Sequence, residues 1–147
     1  MKKLLLFFTT LVTMTACSLC FAADGNDLNK QQKTCEHFIN AIDAAPAPEY
    51  AAISPLLNPQ LAEKFTEKVY AAWQKNVKGQ FGLLKEAKFA VFERLPHASR
   101  VTYLAKFEKE ERVAVTFIFD PKNALVELAF RPIPKPTEQK TAEKKAE

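Results

Sequence analysis

The spacing of apolar and polar residues divides the chain into a first part with helical periodicity and a second part with strand periodicity. Apolar residues recur at intervals of three, four or seven between Leu28 and Ile42, and the polar residues 24–27 before them can cap a helix. Pro46 then interrupts the pattern, because proline lacks the backbone N–H that a continuing helix needs. The spacing therefore predicts a first helix that ends before Pro46.

The strongest helical pattern follows an Ala- and Pro-rich link over residues 44–59, in which a short helical piece is expected around 50–53. Asn58 followed by Pro59 is typical of a helix N-cap and a first helical position. From there apolar residues recur in steps of four, and Gly79 offers a left-handed cap. The pattern predicts one amphipathic helix of about five turns. The residues in these steps are Leu61, Phe65, Val69 and Trp73.

Beyond Gly82 the apolar period changes to two residues, which is the period of a half-buried strand. Four such runs follow one another, separated by short polar links. Links of this length join antiparallel neighbours, so the four strands are expected to form a meander sheet. The predicted strands cover residues 88–92, 101–107, 112–119 and 126–131.

The order of the elements, helices first and strands afterwards, indicates an α+β domain. We expect the N-terminal helices to pack on one face of a curved, four-stranded antiparallel meander sheet. The apolar stripe of the long helix is expected to meet the inner face of the third strand. That inner face carries Val113, Val115, Phe117 and Phe119.

The first 22 residues have the three-part layout of a bacterial secretory signal peptide. A basic start at 1–3 precedes an apolar run over 4–12 that is too short to span a bilayer, and Ala22 suits the position before a cleavage site. The mature chain is therefore expected to be periplasmic or secreted. Processing as a lipoprotein at Cys17 is the alternative, and it would tether the same domain to a membrane.

The rest of the chain has the size and composition of one domain followed by a polar tail. Residues 23–131 are enough for a single hydrophobic core, whereas residues 132–147 are rich in Pro, Lys and Glu and are expected to be disordered. The formal net charge of +4 includes Lys2 and Lys3 of the predicted signal peptide. The remaining charge is small and forms no basic stripe, so nucleic acid is not an expected partner.

The number of cysteines argues against a core held together by disulfides. The chain has three cysteines, of which Cys17 and Cys20 leave with the predicted signal peptide. Cys35 remains and lies in the apolar register of the first helix, which predicts a small buried residue. A disulfide between two copies and a catalytic thiol are the alternatives for this side chain.

A series of aromatic and glycine positions resembles a known group of proteins. Trp73 is followed by residues 79–81, Gly-Gln-Phe, then by alternating strands, the segment 115–120 and the closing run 128–130. This series is similar to small exported bacterial domains of unknown function that have the nuclear-transport-factor-two-like fold, also described as cystatin-like. The resemblance covers about residues 28–131. It implies a cone-like α+β domain with a pocket between helix and sheet, and it implies no particular activity.

The final hairpin departs from that resemblance, because the glycine usual at this position is absent. Asn123 and Ala124 stand in its place. Asparagine tolerates a left-handed backbone, so the tight turn is expected to be retained.

The favoured hypothesis for function is a non-catalytic exported envelope protein. It would bind a small apolar ligand or a protein partner in the cone or on the outer sheet face. No cofactor or metal site is expected, since no metal-ligand spacing occurs. The alternative is an isomerase- or dehydratase-like enzyme, for which the inward register offers only Glu93 and Tyr103 as acid-base groups. The candidate pocket comprises Phe65, Val69, Trp73, Glu93, Tyr103, Val115 and Phe117.

The outer sheet face is the second candidate surface. Its predicted positions are more apolar than an exposed face requires, and such a patch is typical of association between soluble proteins. A homodimer paired through this face is therefore an expected arrangement. The predicted outer positions are Ala90, Phe92, Leu104, Ala114, Ile118 and Ala129.

Overall fold

The computed structural model describes residues 25–44 and 46–134. The predicted signal peptide and residues 135–147 of the predicted tail lie outside these ranges. Helices precede a four-stranded antiparallel sheet with strand order β1-β2-β3-β4, which confirms the α+β class and the meander. No helix in the described ranges has the length and apolar character needed to cross a bilayer. The helices are α1 (25–43), α2 (Tyr50–Ile53), α3 (Pro59–Lys64) and α4 (Glu67–Phe81), and the strands are β1 (Leu84–Leu95), β2 (Ala98–Phe107), β3 (Val113–Phe119) and β4 (Leu125–Pro132).

α1 is the helix that lies directly on β3. The ring centroid of Phe38 is 6.2 Å from that of Phe117, whose strand has the buried inner face that its alternation predicts. The long helix is expected on β3, whereas the ring contacts of α4 with the sheet are made to Phe107 on β2 and to Phe130 on β4, the strands on either side of β3. Cys35 is fully buried, as its register predicts. The buried positions of α1, spaced by three and four, are Gln31, Thr34, Cys35, Phe38, Ala41 and Ile42.

The predicted long helix is interrupted at Phe65 and Thr66, so the expectation of one continuous helix is wrong. α3 begins as predicted at Asn58, whose side chain accepts a hydrogen bond of 2.8 Å from the backbone N–H of Leu61. Phe65 then leaves helical geometry, with φ −97° and ψ 64°. Its carbonyl accepts a hydrogen bond of 2.7 Å from Tyr50 Oη, which gives a partner to a carbonyl at the helix end.

The interruption changes which face of α4 is buried. Val69, predicted on the core stripe, is 41% exposed. Trp73 is partly buried and packs against the core. The four-residue steps therefore do not form a single stripe, because α3 and α4 are separate helices with separate buried faces. The fully buried positions of α4 are Tyr70, Val77 and Phe81.

A one-residue bulge in β1 changes which side chains face the helices. The pairing with β2 shifts between Phe89 and Val91, so Ala90 has no cross-strand partner. As a result Phe92 packs against the core and Val91 points to the outer face, the reverse of the prediction.

A similar shift occurs in β4, where Leu125 pairs with Phe119 and Glu127 pairs with Ile118. Val126 is the extra residue of this irregularity. Leu125 therefore occupies the buried position that the alternation assigned to Val126. Each shift changes the face on which the neighbouring side chains lie, because side chains alternate along a strand.

The end of α4 is set by Gly82 and not, as predicted, by Gly79. Gly82 has φ +80° and ψ −160°, a region that glycine alone occupies readily, and its N–H donates to the carbonyl of Lys78 at 2.9 Å. A Cβ at this position would lie 2.9 Å from Cβ of Glu108. Gly79 is inside the helix, and a Cβ there would meet nothing within 4 Å.

The two glycines therefore give opposite predictions for substitution by alanine. Gly82→Ala should lower the free energy of unfolding by about 1–3 kcal/mol, from backbone strain and the close contact. Gly79→Ala should raise it by up to about 1 kcal/mol, because alanine favours a helix interior. Urea denaturation of both variants measures these changes. Equal effects of the two substitutions would contradict the assignment of Gly82 as the cap.

Candidate functional site

The space between the helices and the sheet is filled by aromatic side chains. Phe38 is at the centre, and its ring centroid is 6.3 Å from Phe65, 6.0 Å from Trp73 and 6.2 Å from Phe117. The rings meet edge-on or tilted, as aromatic side chains in protein cores prefer. The inner side of the sheet is therefore a packed core over most of its area.

Among the described residues, an apolar cavity lies between α1, α3, α4 and β4. Its volume is about 70 Å³. Small-molecule sites commonly enclose about 300–1,000 Å³. The cavity brings together Phe65 and Trp73 of the candidate pocket. Its lining is Phe38, Leu57, Leu61, Phe65, Trp73, Leu125 and Leu128.

The other residues of the candidate pocket lie elsewhere. Val115 and Phe117 are buried in the core on β3, and Val69 is on the exposed side of α4. Tyr103 is buried on β2. Burial raises the pKa of Tyr103 to about 12 and also raises the pKa of Cys35, so both side chains keep their protons at neutral pH.

Glu93 lies on the opposite face of the sheet from Tyr103. The bulge at Ala90 is the cause, because it reverses the alternation for the residues that follow it in β1. Arg100 Nε donates a hydrogen bond of 2.6 Å to Glu93 Oε2, and this bond holds the pKa of the carboxyl below its usual range. A buried general acid requires a raised pKa, whereas the environment of Glu93 lowers the pKa of its carboxyl.

The outer sheet face is the side of the sheet that points away from the helices. Three rows of its cross-strand pairs extend over all four strands, and the middle row of these carries no charge; Glu86 and Lys106 form a further, charged pair between β1 and β2. Leu104 is 48% exposed although it lies on the interior strand β2, and Val91 is 42% exposed. The middle row is Val91, Thr102, Thr116 and Ala129. The row on one side of it is Glu93, Arg100, Ile118 and Glu127, and the row on the other side is Lys88, Leu104, Ala114 and Arg131.

An open groove of about 720 Å³ lies on the helical side, between residues 47–54 and the first half of α4. Tyr50 Oη and Tyr70 Oη line this region, and they donate hydrogen bonds of 2.7 Å to the carbonyls of Phe65 and Pro48 respectively. Burial raises the pKa of Tyr70. Both hydroxyls therefore hold the connecting segments in place.

A hydrogen-bonded polar network at one end of the domain joins α1 to the adjoining ends of β1 and β2 and to the β3–β4 turn. Ser99 Oγ donates to Gln31 Oε1 at 2.9 Å, and Gln31 Nε2 donates to Asn123 Oδ1 at 2.6 Å. Asn123 Nδ2 donates to Asp27 Oδ1 at 2.9 Å, and Arg94 contacts Asp27 Oδ2 at 3.0 Å. Every buried side-chain polar atom in the described ranges has a partner. This completeness is typical of a structural network.

A small cavity of about 60 Å³ adjoins the network, and His97 and Asp120 complete part of its lining. His97 is exposed in the two-residue β1–β2 link. Within residues 25–44 and 46–134, no three His, Cys, Asp or Glu side chains come together as a metal site. Asn123 has φ +66°, so the left-handed turn expected from asparagine is confirmed.

The network is absent from the sequence predictions, although one of its members gives a local signal. Gln31 is four residues before Cys35 and therefore lies in the apolar register of α1. A polar side chain at such a position requires buried hydrogen-bond partners. The identity of those partners has no local signal, because Ser99 and Asn123 follow far along the chain.

Comparisons of the chain with protein-family models, with curated proteins and with solved structures give no match. The resemblance to nuclear-transport-factor-two-like domains therefore stays a prediction. The coarser α+β class, with its helical region and antiparallel meander, is confirmed by the structure.

Asp27 gives the network a predictable pH dependence. Hydrogen bonds from Asn123 and then Arg94 hold the pKa of Asp27 below its usual range. A carboxyl with a lowered folded-state pKa stabilises the fold above its unfolded-state pKa, and this contribution is lost as the pH falls through the folded-state value. Asp27→Asn should therefore cost about 1 kcal/mol or less at neutral pH, and the difference from wild type should shrink below about pH 4.

Urea denaturation at about pH 7 and about pH 3 tests this expectation. Asp43→Asn, at an exposed position of the same helix, is the matched control. A difference between wild type and Asp27→Asn that stays constant at both pH values would contradict the role of the carboxylate.

Proposed function

We propose that this chain is a non-catalytic exported interaction module that contacts a protein partner through its outer sheet face. The observation that carries the proposal is the exposure of Leu104 on an interior strand, next to a row without charge. Val91 and Leu95 extend the same face along β1. An exposed apolar patch with polar residues around it is typical of a protein-protein contact surface.

Most of the exposed large apolar side chains of the described ranges lie on the first two strands of the sheet or next to them. All but Val69 lie on β1, on β2 or directly before β1. Scattered single exposures need no explanation, whereas a cluster of them favours a binding surface. The residues that share the outer sheet face are Val91, Leu95 and Leu104, whereas Phe89 lies on the inner side beside Tyr103 and Leu83 comes directly before β1.

The packed interior favours an interaction module over the isomerase-like alternative. The apolar cavity of about 70 Å³ is small for a substrate. Tyr103 on the inner side has a raised pKa, and Glu93 is ion-paired with Arg100 on the outer side. The acid and hydroxyl that such chemistry would combine are therefore separated by the sheet.

The broad face of the sheet is favoured over its β1 edge as the contact surface. β1 is an edge strand, and an unpaired edge is able to accept an added strand. However, the pairing of β1 shifts at Lys85 and at Ala90, and Lys88 adds a further charge between the shifts. Bulges and lysines hinder strand addition, so the outer sheet face fits a partner better.

Export is part of the proposal and is supported by the sequence alone. The basic start, apolar run and Ala22 favour cleavage into a periplasmic or secreted chain. Lipidation at Cys17 would hold the same module at a membrane. Both signals lie outside the described residues.

Site-specific photo-crosslinking in cells that express the full chain tests the contact surface. A benzophenone amino acid replaces Leu104 in one variant and Val69 in the other, because the two side chains are similarly exposed, at 48% and 41%. After irradiation we expect a crosslinked species from position 104 and none from position 69. The absence of a product at position 104, or equal products at both positions, would overturn the proposed function.

A further inference from the structure

We infer that the partner of the outer sheet face is a second copy of this chain, packed face to face about a twofold axis that runs along the middle row. This inference rests on the proposed function. In this arrangement the strands of the two copies run in reversed directions, and each middle-row residue meets its own counterpart.

The charges of the outer sheet face are arranged symmetrically about the middle row. On β4, Glu127 is two residues before Ala129 and Arg131 is two residues after it. Neither Glu127 nor Arg131 forms an ion pair with another described residue. On β1, Glu93 and Lys88 lie in the same two outer rows as Glu127 and Arg131 respectively, and each is ion-paired within its own copy, Glu93 with Arg100 and Lys88 with Glu86. One outer row thus ends in an acid on both sides and the other in a base, and the charges on β4 are the two that form no ion pair with a described residue of the same copy.

A twofold rotation about the middle row brings the acid-ended row onto the base-ended row. Glu127 then faces the partner's Arg131, and Glu93 faces the partner's Lys88. A twofold axis along the strands would instead place Glu127 opposite the partner's Glu93, which is repulsive. Opposite charges at an interface suppress wrong orientations, so the charge pattern selects the reversed arrangement.

The middle row suits the centre of such an interface. Val91, Thr102, Thr116 and Ala129 carry no charge, and each has a methyl group whose removal from water is favourable. Four strands at a spacing of about 4.8 Å and rows over about seven residues give a footprint of roughly 400 Å² per copy. Interfaces of this size are at the low end of specific association. We therefore expect a dimer that dissociates on dilution and on addition of salt.

Charge reversal on β4 tests both the second copy and its orientation. Sedimentation equilibrium of the exported chain measures the dimer dissociation constant. Glu127→Arg and Arg131→Glu should each weaken the dimer roughly fivefold or more, because two attractive pairs become repulsive. The double variant restores both pairs with reversed polarity and should recover most of the wild-type affinity. Glu63→Arg, an equal charge change on α3, is the control and should leave the dimer unchanged.

The outcomes separate the inference from the proposed function. A tighter dimer for Glu127→Arg alone would indicate the twofold axis along the strands and overturn the reversed arrangement. A double variant whose dimer affinity stays well below that of the wild type would overturn it as well. A chain that stays monomeric up to about 1 mM, with a photo-product at position 104 that contains a different protein, would overturn the second copy and leave the proposed function standing. No photo-product at position 104 would overturn the proposed function itself. Circular dichroism of each variant confirms that the sheet is intact.

Discussion

The contact of Phe38 with three other aromatic rings holds the helical layer to the sheet. Its side chain is 1% exposed and packs against Phe65, Trp73 and Phe117, which belong to three different parts of the chain. Such ring pairs contribute about 0.5–1.5 kcal/mol each beyond the burial of their area. The interruption after α3 is part of this arrangement, because it places Phe65 at the end of a helix, where Tyr50 bonds its carbonyl. The small interior cavity is what remains when these rings have been packed.

The strands that follow an uninterrupted alternation could be predicted from the sequence. In β3 each second residue from Val113 to Phe119 is buried. Each apolar residue that lies between them is smaller than its buried neighbours, so only one register fills the inner positions well. β1 is different, because residues 89–92 are four consecutive apolar residues that fit the core in two registers. The pairing with β2, which local periodicity does not contain, selects the register with a bulge. Adjacent Leu125 and Val126 presented the same ambiguity in β4.

These register choices decided how much of the candidate site could be foreseen. Phe65 and Trp73 do share a cavity, since their burial follows from helix periodicity on either side of the interruption. Glu93 does not join Tyr103, because a single extra residue at position 90 moves the carboxylate to the other face. The same residue shift, however, places Val91 in the middle row of the outer sheet face. The extra residue at position 90 therefore both separates Glu93 from Tyr103 and adds Val91 to the outer sheet face.

The polar network at the end of the domain also constrains the order in which the chain folds. Gln31 and Asp27 bond to Asn123, which lies 92 and 96 positions further along the chain. Contacts of such sequence separation form late, since a long loop must close before they contribute. α1 is the first described element to be synthesised, yet its buried face is covered by β3 and its polar side chains are satisfied by the β3–β4 turn. A growing chain therefore carries an amphipathic helix with an uncovered apolar face until its final hairpin is made, and exposed apolar surface of this kind is prone to aggregation.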